Sequence, residues 1–170
     1  MLREQKARFG GLFTVWAYDR AGNLLWEDTA KNLVPNPALQ YLIDAAFNGG
    51  SQVSSWFLAP TGDSPVPDPT DTMAVHGGWT EVTAYSELTH PAYTGVRTTQ
   101  TESNSAAKAS FSINVKATHL GGAYLTSNGA KSGATGTLMC VAPFTLGNKV
   151  LNSGDTLVVQ YSFTAADDGI

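Results

Sequence analysis

A single cysteine, Cys140, stands in 170 residues, so the chain can close no internal disulfide and holds no Cys-rich metal motif. Charge is scarce as well: 14% of residues are charged, against about 25% in average proteins. The balance of 10 Lys and Arg against 14 Asp and Glu leaves no basic surplus to neutralise phosphates, which excludes a sequence-independent nucleic-acid binder. Long apolar runs are missing too. The longest uncharged stretches, 45–62 and 132–148, are broken by Gly, Ser, Thr and Pro, and neither reads as a membrane span. The opening Met-Leu-Arg-Glu-Gln-Lys-Ala-Arg is charged and no apolar run with a cleavage site follows it, so no secretory signal is expected.

Other absences concern chemistry. His76, His90 and His119 lack the spacing that puts two metal ligands on one helix face. Asp63, Asp68 and Asp71 lack the alternation and terminal Glu of a calcium loop. No Gly-x-Ser-x-Gly elbow occurs; Ser86 with His90, oriented by Glu81 or Glu87, is the only nucleophile and base pair that suggests itself. The run Gly129-Ala-Lys-Ser-Gly-Ala-Thr-Gly136 holds Gly and Lys in the wrong order for a phosphate loop and reads as a turn. Cys140, between Met139 and Val141, reads as a buried, inert thiol. No catalytic residue, metal or cofactor is therefore expected.

What is present favours strands. The chain has 19 Thr, 13 Ser and 17 Gly beside 42% hydrophobic residues, a composition of short strands and turns. At this length one domain is expected, large enough to bury roughly 70% of the surface its unfolded form exposes. Phe13, Val15 and Ala17 alternate with Thr14, Trp16 and Tyr18, and a turn cluster at 19–23 leads to Leu24 and Trp26, which predicts an N-terminal hairpin. One helix is signalled from Asn36 to Phe47: Asn36 as cap, Pro37 in the first turn, Leu39, Leu42, Ile43, Ala46 and Phe47 on one face, and Gly49-Gly50 as the stop. Residues 56–59 read as a strand, and 60–69, with four prolines, as a surface loop.

Residues 71–78 fit one capped helical turn and 79–85 a strand. Further on, Phe111, Ile113, Val115 and Ala117 share a face, 123–125 and 138–141 are short apolar segments, and Leu157, Val159, Tyr161 and Phe163 alternate. The fold class expected is mainly β: an antiparallel β-sandwich, jelly-roll-like or another Greek key, with one short α-helix. Its divisions are an N-terminal arm (1–10), a single sandwich domain (11–165) and a C-terminal tail (166–170).

The order of hairpin, Trp26-Glu-Asp-Thr-Ala-Lys-Asn-Leu-Val34, helix, Asp71-Thr-Met-Ala-Val-His-Gly-Gly-Trp-Thr-Glu81, the segment 136–144 and Gly154-Asp-Thr-Leu-Val-Val-Gln-Tyr161 resembles a family of small structural proteins of tailed bacteriophages, over about residues 13–163. The closing Gly-Asp-Thr-Leu strand is widespread among phage appendage proteins, and the segment 71–81 is more particular. The resemblance implies a virion building block without catalytic residues. The reading it favours is a head decoration or cement protein, a homo-oligomer and by analogy a trimer, bound to the major capsid protein on the capsid surface after synthesis in the host cytoplasm. No nucleic acid or membrane is expected among its partners. The contact candidates are Arg3, Lys6 and Arg8 in the arm, Pro65 and Pro67 in the proline-rich loop, and Trp79. The alternative is a tail or baseplate component that meets a host carbohydrate receptor through its tryptophans. A third reading, a jelly-roll enzyme, requires Glu81, Glu87, Asp71 or Glu102 to converge in a cleft.

Overall fold

A computed structural model describes residues 6–167. In chain order the elements are β1 (Ala7–Tyr18), β2 (Leu24–Lys31), α1 (Asn36–Phe47), β3 (Trp56–Thr61), β4 (Ala92–Tyr93), β5 (Val96–Thr98), β6 (Thr101–Ser103), β7 (Ala109–Ser112), β8 (Thr118–Leu120), β9 (Gly122–Thr126), β10 (Leu138–Pro143), β11 (Lys149–Leu151) and β12 (Thr156–Asp167). One sheet runs β2-β1-β12-β6-β5, with β7 also on β12; a second runs β10-β9-β3-β4; β11 and β8 form a separate pair. All pairings are antiparallel. The fold is thus mainly β and sandwich-like, as its strand-rich composition implies.

The two 12-residue strands, β1 and β12, make its spine, in register from Ala7↔Asp167 to Tyr18↔Thr156. Their period-2 pattern turns Phe13, Val15, Ala17, Leu157, Val159 and Tyr161 inward, all without solvent exposure. The β1–β2 turn closes as expected, with the Asp19 carboxylate accepting from the N–H groups of Ala21 and Asn23 and Gly22 at φ +85. Along its other edge β12 takes β7 at 156–159 and β6 at 162–164. Buried Asn104 spans the interval: its Oδ1 accepts from the Tyr161 N–H at 2.7 Å and its amide donates to the Val159 carbonyl at 3.3 Å. A side chain thereby satisfies backbone groups that neither short strand reaches.

The second sheet is buried on both faces. Leu58, Ala123, Leu125, Cys140 and Ala142 meet the first sheet, while Ala59, Tyr124, Leu138 and Val141 lie under the segment 62–91, which contributes Met73 and Trp79. Strands covered on both sides carry continuous apolar runs, and 138–142 is one. The segment 62–91 contains no helix; 71–78 forms turns and bends, and the strand expected at 79–85 reduces to isolated bridges at Glu81 and Tyr85. Its backbone is instead committed to docking on the sheet, through Gly62 N–H to the Thr80 carbonyl (2.8 Å) and Val82 N–H to the Pro60 carbonyl (3.0 Å).

The helix spans the expected residues, yet two expectations about it are corrected. Asn36 provides no side-chain cap; Pro35 precedes the first turn in extended conformation, and the Asn36 N–H donates to the Pro69 carbonyl at 2.7 Å. The face turned to the core carries Ala38, Tyr41 and Leu42, while Ile43 and Phe47 are 55% and 83% exposed. The stop is as read: Gly49 at φ +68 lets the Gly50 N–H reach the Asp44 carbonyl. Val115 is exposed, because β7 ends at Ser112. Among the described residues no helix is long and apolar enough to cross a membrane.

Candidate functional site

Of the contact candidates read from the sequence, Arg3 lies outside the described residues. Lys6 and Arg8 are exposed at the start of the first strand. Residues 7–10, expected within an arm, are part of β1, and 166–167, expected in a tail, are part of β12, because each strand gives the other a full ladder. β2 pairs β1 only from Leu12, and β6 leaves β12 after Thr164. The ends of this pair therefore form a ribbon flanked only by the bond from the Ala165 N–H to the Gln100 carbonyl, with Phe9 stacked on Phe163 at 6.3 Å.

Pro65 is buried, not presented. A Cβ on Gly121 would stand 2.7 Å from its Cδ, so the ring seals the segment 62–91 to the sheet. Pro67 is half-buried and its neighbour Val66 is 68% exposed. Trp79 is corrected most plainly: it is 5% exposed, stacked on His76 at 3.8 Å and tilted against Tyr124 at 4.9 Å, with its Nε1–H donating to Asp71 Oδ2 at 2.9 Å. Asp71 also accepts the Asp68 N–H. A Cβ on Gly78 would collide with the Val66 carbonyl. The segment 71–81 is thus a plug on the sheet, and its Asp, Gly and Trp serve the fold.

The possible Ser86–His90 pair is not assembled. His90 is 1% exposed, and both ring nitrogens face acceptors: Nε2 meets Glu81 Oε1 at 2.8 Å and Nδ1 meets the Asn128 carbonyl at 2.9 Å. No nitrogen is left to take a proton from Ser86. Glu81 Oε2 accepts the Ser132 N–H at 2.8 Å, so the pair ties the segment 62–91 to the β9–β10 connection. Glu87 is occupied differently, accepting from the N–H and Oγ of Ser112. Asp63 pairs with His119 on the surface, away from Asp68 and Asp71 in its bonding. Among the described residues no group of three or more His, Cys, Asp or Glu is placed to hold a metal ion.

Cys140 is fully buried beside Tyr161 and Asn32, and burial pushes its thiol up to about 12. Burial likewise raises the hydroxyls of Tyr85, Tyr93, Tyr124 and Tyr161 above their usual 10.0, with the charges of Glu81 acting on Tyr85 and Tyr124 and that of Glu102 on Tyr93. The unfolded chain ionises these groups at their ordinary values of 9.0 and 10.0, so above that range it binds fewer protons than the folded chain. Their contribution to stability is complete below about pH 9 and is lost as pH rises towards the folded-state values. The urea midpoint is expected to fall progressively through the tyrosine range, and iodoacetamide at neutral pH to label Cys140 only after unfolding. A midpoint that stays level there, or rapid native labelling, contradicts this arrangement.

An aromatic-rich opening lies where α1, β3, β4, β6 and β12 meet. This cleft, of about 200 Å³, is lined by Tyr41, Trp56, Tyr93, Tyr161 and Phe163, with Glu102 on its wall. The Tyr41 hydroxyl accepts the Val53 N–H at 2.9 Å, and its ring meets Trp56 edge-on at 5.8 Å. Sequence reasoning named the tryptophans and Glu102 separately but not the meeting of Trp56 with Glu102, because the lining, which includes Leu42, Leu125 and Met139, comes from seven elements. It also missed the outward Ile43 and Phe47 and the 94% exposed Leu88. Set beside known proteins, the chain matches no family model and no curated protein.

Proposed function

We propose that the chain is a structural protein of a tailed-bacteriophage virion, a decoration or cement protein seated on the major capsid lattice as a symmetric trimer on the capsid surface. The reading starts from the resemblance of segments 26–34, 71–81, 136–144 and 154–161 to small phage structural proteins. The observation that supports it best in the fold is the β1–β12 ribbon. Its β1 edge along 7–10 is unclaimed by the flanking strand β2, whereas the β12 edge is held at Ala165, whose N–H donates to the Gln100 carbonyl at 3.0 Å. Such an edge accepts a strand from a neighbour, with backbone hydrogen bonds supplying affinity and side chains such as Arg8 and Phe9 supplying register. Closed rings of identical subunits repeat such contacts around one axis. Function then requires no reaction step. A protein that binds only the assembled lattice stabilises it by mass action.

Purified protein incubated with expanded capsids of the cognate phage tests this. Saturable binding at a fixed ratio to capsid subunits, with a higher rupture temperature, is the expected result. Absence of binding, with the protein recovered in isolated tails, overturns it and moves the reading to a tail or baseplate component. The aromatic cleft around Trp56 favours that second reading, in which it meets a host-surface ligand.

A further inference from the structure

The cleft between α1 and the ends of β3, β4, β6 and β12 has a composition that selects its ligand by charge. At about 200 Å³ it is smaller than the roughly 300–1,000 Å³ of sites for drug-sized ligands, so it takes a headgroup or a small molecule. Its aromatic pairs, Tyr41 with Trp56 at 72° and Tyr93 with Tyr161 at 60°, meet edge to face and are not stacked on one another. Ring faces carry the negative part of the aromatic quadrupole.

The single carboxylate on the wall, that of the exposed Glu102, lies beside this aromatic surface. Glu102 lies directly over Gly95: a Cβ there would stand 2.7 Å from Glu102 Cγ and 2.7 Å from Tyr93 Cε1. The absence of a side chain at 95 is what allows the carboxylate to rest beside the Tyr93 ring. Among the described residues Glu102 has no ion-pair or hydrogen-bond partner; its cross-strand neighbour Arg97 turns its guanidinium to the Thr99 carbonyl at 3.0 Å. The Tyr93 hydroxyl is buried without a partner of its own. Elsewhere the chain covers aromatic rings with its own lysines, Lys108 over Trp16, Lys131 over Tyr85 and Lys149 over Trp26, and none of these reaches the cleft.

We infer that this cleft is a binding site for a quaternary alkylammonium group, held by the rings of Tyr41, Trp56, Tyr93 and Phe163 and by the charge of Glu102. A weakly hydrated organic cation gains from aromatic faces and an unpaired carboxylate together. Small inorganic cations need several oxygen ligands, and the wall offers one carboxylate. A sugar needs several polar partners for its hydroxyls, and an anion is repelled by Glu102. The inference is independent of whether the chain belongs to a head or a tail.

Choline is the probe, its neutral isostere 3,3-dimethylbutanol the charge control and glucose the sugar control. Each is titrated into the full chain by calorimetry, together with the NMR shift of the Trp56 indole N–H, assigned by Trp56→Phe. Choline is expected to saturate the Trp56 shift and to bind about tenfold more tightly than the isostere, the ratio that corresponds to one favourable cation–aromatic and charge contact. Glu102→Gln removes the charge without touching a partnered group, and is expected to reduce the preference to about threefold, the part that the rings supply. Gly95→Ala, which presses on both the Glu102 side chain and the Tyr93 ring while leaving the charge, is expected to weaken choline as well. No saturable choline shift on the folded chain overturns the inference. So do equal binding of the isostere, or saturation by glucose instead.

Discussion

Replacing Glu81 by alanine is expected to lower folding stability by about 1–3 kcal/mol, because it leaves a nitrogen of the buried His90 ring without its hydrogen-bond partner. His90 presents Nδ1 to the Asn128 carbonyl and Nε2 to Glu81, both of them acceptors. Removing the carboxylate leaves the buried Nε2 facing a void without a partner. The Ser132 N–H loses its acceptor in the same step. Glu81→Gln separates these effects: the amide oxygen can still accept from Nε2, while its NH2 faces the Ser132 N–H, donor against donor. A loss between those of wild type and alanine is expected, read as a shift in the urea midpoint at unchanged slope. A near-neutral Glu81→Ala would remove the pair from the account of how the segment 62–91 is held.

Trp79→Ala is the second large effect, expected at about 3–5 kcal/mol from cavity formation alone. The ring fills the space between His76 and Tyr124, and its Nε1–H satisfies buried Asp71. Without it, the outer face of the second sheet is open over Tyr124, and proteolysis within 62–91 is expected to accelerate as this layer detaches. Leu88→Ser, at a 94% exposed position on the same segment, is expected to stay within about 0.5 kcal/mol of wild type. The contrast separates two roles for the indole. A partner contact would lose capsid binding with stability intact, whereas a plug loses stability first.

The two histidine and tryptophan findings show where a local reading stops. The spacing of Ser86 and His90 suggested a nucleophile and its base, yet the imidazole is claimed by Glu81 and Asn128, the latter 38 residues away. Trp79 was legible as an aromatic in a particular motif. Its exposure was not, since burial depends on the second sheet lying beneath it. The helix shows the same division. Its span and its Gly49 stop follow from caps and breakers, but which stripe faces inward was decided by Ala38, Tyr41 and Leu42 meeting the core. The longer apolar side chains of Ile43 and Phe47 point away from it.

By itself the sequence determined the local features: a β-rich chain without disulfides, the β1–β2 hairpin, the alternating cores of β1 and β12, the bounds of α1 and the inert setting of Cys140. Each follows from propensity, period and turn chemistry acting within a few residues. Only the tertiary structure decided that β12 shares one edge between β6 and β7 through Asn104, that the segment 62–91 forms a third layer, and that Tyr41, Trp56, Tyr93, Glu102 and Phe163 line one cleft. Those arrangements bring together residues as distant as Tyr41 and Phe163, 122 positions apart, where contacts depend on sheet register and complementary burial and leave no periodic trace in the chain.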